Sequence, residues 1–189
     1  MNENKTLYTI GIFTENRVGI LSLISNTFTR RKLNIETLSV SPSSIEGVHK
    51  FTITTKCDLD TIDKLVKQIE KRIDVLKAFY YTNDEIVYQE IALYKVPTSE
   101  LLAEPNLEKI IRKHNARILE ITPDYTVLEK SGHYEETQSL FEELKRFDIR
   151  QFVRSGRVAV TKSTSEYVTE FLEQRNQCKE ELEEEWKHQ

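Results

Sequence analysis

Four histidines, two cysteines and many carboxylates are the residues of this chain best equipped for chemistry, and their spacing argues against most of it. His49, His114, His133 and His188 stand apart, with no HExxH or CxxC pattern to gather a zinc ion. Cys57 closes a β-rich run. Cys178 lies among glutamates, whose field raises a thiol's pKa and disfavours the reactive thiolate. The pairs Asp58/Asp60 and Asp84/Glu85 fall where helix caps and solvated loops are expected. The chain has five glycines and no GxSxG, GxxxxGK[ST] or GxGxxG. We assign it no catalytic residue, no metal ligand and no cofactor of its own.

One segment offers binding chemistry instead. A β-rich run ends at Glu15-Asn16-Arg17-Val18-Gly19, and Ile20-Leu21-Ser22 opens a helical pattern. The first N–H groups of a helix have no partner within it and attract anions such as a carboxylate. Gly19 lacks a Cβ, so a ligand could approach closely. Asn16 can donate and accept, and Ser22 adds a hydroxyl. Asn34-Ile35 opens the following strand, and Ile20, Leu21 and Ile35 could wall an aliphatic side chain. Spacing alone equally fits a helix cap in which Gly19 serves tight packing. The cluster Arg30-Arg31-Lys32 suits the negative end of a helix dipole; a contact to an anionic partner is the other reading.

These segments need a scaffold, and periodicity supplies one. Leu7–Thr14 reads as a strand and Ile20–Arg31 as a helix with Ile20, Leu21, Ile24 and Phe28 inward. Asn34–Val40 and Val48–Thr55 read as a hairpin. Asp58 caps a helix burying Ile62, Leu65, Val66, Ile69 and Ile73, and Val75–Thr82 is a last strand. After polar Asn83-Asp84-Glu85 the order recurs: strand Ile91–Val96, helix Leu101–His114 interrupted at Pro105, strands Ala116–Ile121 and Tyr125–Glu129, helix Glu135–Phe147, and Ile149–Val153 with Val158–Val160 around Ser155-Gly156. Two β-α-β-β-α-β patterns predict an α+β protein of two ferredoxin-like domains, 5–83 and 87–162. Each sheet would have one face without helices, so an oligomer is expected. Residues 163–189 form a polar tail. Thr164 or Ser165 could cap a helix with Tyr167, Val168, Phe171, Leu172, Cys178, Leu182 and Trp186 on one stripe. It would dock on the body of the protein or bind a partner.

Composition narrows the classes. At 189 residues, 38% hydrophobic and 31% charged, the chain is neither disordered nor membrane-spanning in balance. Its net charge of −4 carries no basic field for nucleic acid, although Phe51 and Phe79-Tyr80-Tyr81 could be read as base-stacking aromatics. The N-terminus lacks a basic-then-apolar signal and the cysteines lack a disulfide framework, so a cytoplasmic location is expected.

Read in order, Ile12-Phe13-Thr14-Glu15-Asn16-Arg17-Val18-Gly19-Ile20-Leu21-Ser22 and Phe28-Thr29-Arg30-Arg31-Lys32-Leu33-Asn34-Ile35-Glu36-Thr37-Leu38 resemble the ACT-domain segment of the small, regulatory subunit of acetohydroxyacid (acetolactate) synthase. The likeness continues at Phe51-Thr52-Ile53, Gln68–Lys71 with Asp74-Val75, Glu90–Val96, Ala116-Arg117-Ile118, Thr122-Pro123-Asp124 and Val153–Ala159, over roughly residues 6–162. The resemblance implies an ACT domain for effector binding and dimerisation, followed by a second ferredoxin-like domain. Valine would lie between two chains, on Asn16, Gly19, Ile20, Leu21 and Ser22 of one and Asn34 and Ile35 of the other. It further implies a separate catalytic large subunit carrying thiamine diphosphate, Mg²⁺ and FAD, stimulated by this chain and feedback-inhibited with valine bound, in branched-chain amino acid biosynthesis. A free-standing amino-acid-sensing ACT module is the alternative. Two departures stand out. Lys32 replaces the family's usual Gly, at a cost of about 1 kcal/mol if φ is positive there. Lys50, within His49-Lys50-Phe51, stands where the family usually has Arg.

Overall fold

The structure, a computed structural model, describes residues 5–103 and 107–163. They form two compact units: residues 5–36 and 40–86 with 161–163, and residues 87–160 with Thr37–Ser39. The expected helical tail, 163–189, lies outside the described residues apart from Ser163. Among the described residues no helix is long and apolar enough to cross a membrane.

In the first unit β1 (Thr6–Glu15), α1 (Ile20–Arg30), β2 (Thr37–Pro42), β3 (Val48–Cys57), α2 (Leu59–Glu70) and β4 (Val75–Tyr81) follow one another. The sheet order is β2-β3-β1-β4, and β1 runs antiparallel to both β3 and β4. Alternation along β1 sends Tyr8, Ile10 and Ile12 into the core, paired with Thr55, Ile53 and Phe51 on β3. Ile20, Ile24 and Phe28 of α1 and Ile62, Leu65, Val66 and Ile69 of α2 are buried. Each large aliphatic side chain so buried contributes about 1.5–3 kcal/mol. Asp58 caps α2, accepting from the Thr61 N–H at 2.8 Å. Ile73 departs from expectation and is exposed, because α2 ends at Glu70 and the helical phase no longer applies. Phe51 is buried in the core, which removes it from any base-stacking surface.

The second unit repeats the plan with β5 (Ile86–Pro97), α3 (Thr98–Ala103), α4 (Leu107–Lys113), β6 (Arg117–Ile121), β7 (Tyr125–Gly132), α5 (Tyr134–Leu144), β8 (Gln151–Arg154) and β9 (Val158–Thr161). Its order is β6-β7-β5-β8, and β9 also pairs with β5. The Ser155 N–H donates to the Ile91 carbonyl and the Lys162 N–H to that of Glu85, so β8 and β9 act as one broken edge strand along β5. The core gathers Ala92, Tyr94 and Val96 with Leu101, Ile110, Leu128, Leu140, Leu144 and Phe147. The helix expected over Leu101–His114 is two short helices, the first beginning at Thr98. Phe147 lies in a 3-10 turn that continues α5.

Candidate functional site

Gly19 caps α1 with φ +90° and ψ −10°, the left-handed region that a Cβ strains. It offers no side-chain acceptor, and the first regular helical bond runs from the Leu23 N–H to the Gly19 carbonyl. A Cβ built on Gly19 would meet nothing within 4 Å. Glycine is therefore required here by the backbone turn, and tight packing has no part in it. Of the first N–H groups of α1, that of Ile20 donates to the Arg17 carbonyl at 3.4 Å; an anion at this helix start would be met by those that follow.

The loop leading into this cap is held from several sides. The Glu15 N–H donates to the Asp74 carbonyl and the Asn16 N–H to the Gly47 carbonyl, both at 3.0 Å. Arg17 pairs with Asp74 at 2.8 Å and with Glu15 at 3.0 Å. Arg17 thus anchors the loop to the turn before β4, a role the sequence reading did not assign, since Asp74 lies 57 residues away. Asn16 and Ser22, which precede and follow the cap in sequence, are exposed. Val18, at full exposure, and Leu21, 47% exposed, present apolar surface beside it. Ile20 does not join them: it is 9% exposed and packs inward, because the first turn of α1 faces it to the sheet. Of the residues expected to form an apolar wall, Ile20 is therefore buried in the core, and Leu21 is exposed together with Val18.

Asn34 and Ile35 precede β2 and are not on it, since the strand begins at Thr37. The Thr55 hydroxyl donates to the Asn34 carbonyl at 2.7 Å, and the Glu36 N–H to the Thr54 carbonyl at 2.8 Å, so the segment is sewn to β3. The turn that delivers it is a Schellman motif: the Leu33 N–H donates to the Phe28 carbonyl and the Lys32 N–H to that of Thr29. Lys32 takes φ +55° there. Arg31 donates to Gln68 Oε1 at 2.8 Å and to the Lys64 carbonyl, tying the end of α1 to α2. Within one chain the two halves of the expected site are not brought together. They flank opposite ends of the 11-residue α1, a separation of about 16 Å.

Cys57 is buried and its thiol is pushed up by that burial and by Asp58. Among the described residues no three His, Cys, Asp or Glu side chains form a metal cluster. His133 stacks on Tyr88 with ring centroids 4.4 Å apart. A groove of about 360 Å³ beside Lys109, Lys113, Glu142, Glu143 and Arg146 has its carboxylates engaged, Glu143 with Lys113 and His114, Glu142 with Lys145.

Paired β-α-β-β-α-β units, the first with an open glycine-capped helix start, define a two-domain protein of the ACT type. Residues 10–77 match the family model described as an AHAS small subunit-like ACT domain, and residues 89–163 that described as the small subunit of acetolactate synthase. The Bacillus subtilis acetolactate synthase small subunit is 32% identical over 80% of this chain and 88% of its own length. That of Aquifex aeolicus is 30% identical over 82% and 81%. The crystal structure of the Thermotoga maritima acetolactate synthase small subunit shares the fold, with a TM-score of 0.76 at 22% identity over 84% of this chain and 99% of that one. This chain belongs to the acetolactate synthase small-subunit family.

Proposed function

We propose that this chain is the regulatory, non-catalytic subunit of a cytoplasmic acetolactate synthase, raising the activity of a separate catalytic subunit and conferring feedback inhibition by valine. The reading is carried by the start of α1: a left-handed Gly19 cap with open space above it, held by Arg17–Asp74 and flanked by Asn16 and Ser22. The carboxylate of an α-amino acid suits these N–H groups, Asn16 suits its polar end, and Leu21 suits a short branched side chain. Asn34 and Ile35 would complete the site from a second chain, since those of the same chain lie at the far end of α1. Thiamine diphosphate, Mg²⁺ and FAD would belong to the catalytic partner, and the chemistry with them.

The test is reconstitution. This chain alone is expected to make no acetolactate from pyruvate. Added to its cognate large subunit it should raise the rate, and valine should reverse the gain with a coupling of about 1–3 kcal/mol. A rate unchanged by mixing refutes the reading.

A further inference from the structure

The second sheet keeps its core on one side. Ala92, Tyr94 and Val96 of β5 pack with Leu101, Ile110, Leu140 and Leu144 of α3, α4 and α5. Strand alternation then sends Val87, Ile91 and Leu93 to the other face. Val153 pairs directly with Leu93, and its neighbour Phe152 packs on the core, so Val153 lies on that outer face as well. On β9, Ala159 is buried and Val158 and Val160 flank it outward. Both β8 and β9 are hydrogen-bonded to β5, so these six side chains form one continuous aliphatic stripe. All six remain 37–65% exposed.

Area, shape and charge all suit this face to its own copy. The six side chains expose roughly 500 Å² of aliphatic surface, more than half of the ~800 Å² that each partner of a stable pair buries. Val127, Ser131 and Gln151, level with Lys95, Ile91 and Lys95 again, lie on the same face and extend it. All of the six but Leu93 are β-branched, so little rotamer freedom is lost when they pack. Sheet faces of this kind stack about 10 Å apart with their strands within about 30°. The charges on the face are balanced within the chain. Glu129, level with Leu93, is paired with Arg117. Lys95 lies 4.0 Å over the Tyr125 ring, whose hydroxyl donates to Glu120. A second copy therefore meets no excess of one sign.

We propose that this face docks a second copy of the chain, the aliphatic stripe of one second unit packing on that of another about a twofold axis. The contact uses none of the residues of the amino-acid site at the start of α1. It holds whether or not that site takes valine.

Sedimentation velocity of the full chain tests it. Val153→Lys should weaken self-association on the order of tenfold or more, because each pair would then bury two unpaired ammonium groups. The circular dichroism of the variant should match wild type, since Val153 is half-exposed in the single chain. Val158→Lys, on the edge strand, serves if Val153→Lys does not fold. Leu59→Lys, exposed on the first unit, is the control and should leave association unchanged. A chain that stays monomeric overturns the proposal, and so does association of wild-type strength in the folded face variant. Photo-cross-linking reads the occupant directly. With p-benzoylphenylalanine in place of Val158, a mixture of ¹⁴N and ¹⁵N chains should give mixed-isotope links to residues 87–160. Links confined to the second chain's first unit overturn the proposal. Stimulation of the cognate large subunit lost in Val153→Lys while self-association persists gives the face to that subunit, and also overturns it.

Discussion

Two residues in left-handed backbone frame α1, and each makes its own prediction. Gly19 needs φ +90° and faces open space. Gly19→Asp puts a carboxylate where a ligand's carboxylate would lie, at a backbone cost of about 1–2 kcal/mol. The variant should remain folded and lose valine binding; isothermal titration showing wild-type affinity would remove the ligand from this cap. Lys32, at φ +55°, fills the Schellman position that glycine takes without strain. Lys32→Gly should therefore stabilise the chain by about 1 kcal/mol, read as a higher Tm. The start of this cap was legible in the sequence, since a break containing Gly before a helical period has few other uses. The inward turn of Ile20 was not: Ile20 and Leu21 are adjacent apolar residues, and only the helical phase fixed by Gly19 separates core from surface.

At the scale of elements, the broken edge strand β8/β9 rests on a buried ion pair. Arg157 and Glu90 are each 3% exposed, their side chains 3.2 Å apart, with the Arg157 guanidinium 3.9 Å over the Tyr88 ring. Glu90→Ala removes a buried carboxylate from beside both Arg157 and Arg154, at a cost of about 3–5 kcal/mol; urea unfolding with an unchanged midpoint would show that the pair holds nothing. On β7, Glu129 is held below the ordinary carboxylate range, first by the hydrogen bond from Ser131 at 2.8 Å and then by Arg117 on β6. A carboxylate depressed in the folded state adds stability that is full above its unfolded pKa of about 4.3 and is lost as pH falls through its folded value. Glu129→Gln should lower Tm at neutral pH and flatten the acid side of the Tm profile; a parallel profile would exclude Glu129 as a source of acid sensitivity. Sequence gave the order of elements in both units because apolar periods of two and near four alternate cleanly. It placed ends poorly where backbone caps decide them. Ile73 follows a helix that has stopped at Glu70, and β2 begins at Thr37 because Thr55 and Thr54 hold the preceding residues in an extended loop.

For the whole molecule the proposed site raises the question of how a loop and a segment at opposite ends of one helix could serve one ligand. A loop at the start of α1 and a segment beyond its end, about 16 Å apart, converge only if a second chain presents one to the other. In a twofold pair, each site then takes its loop from one chain and its Asn34 from the other. Gly19→Asp and Asn34→Ala chains, each impaired alone, would differ when paired together. One site of the mixed pair carries both changes, and the other carries neither. Random reassortment of equal amounts yields mixed pairs as half the population, so about one quarter of the wild-type sites should return. Isothermal titration after denaturation and joint refolding would read this as valine sites of wild-type affinity at that fraction. A site contained within one chain returns none, because every chain in the mixture then carries a defect.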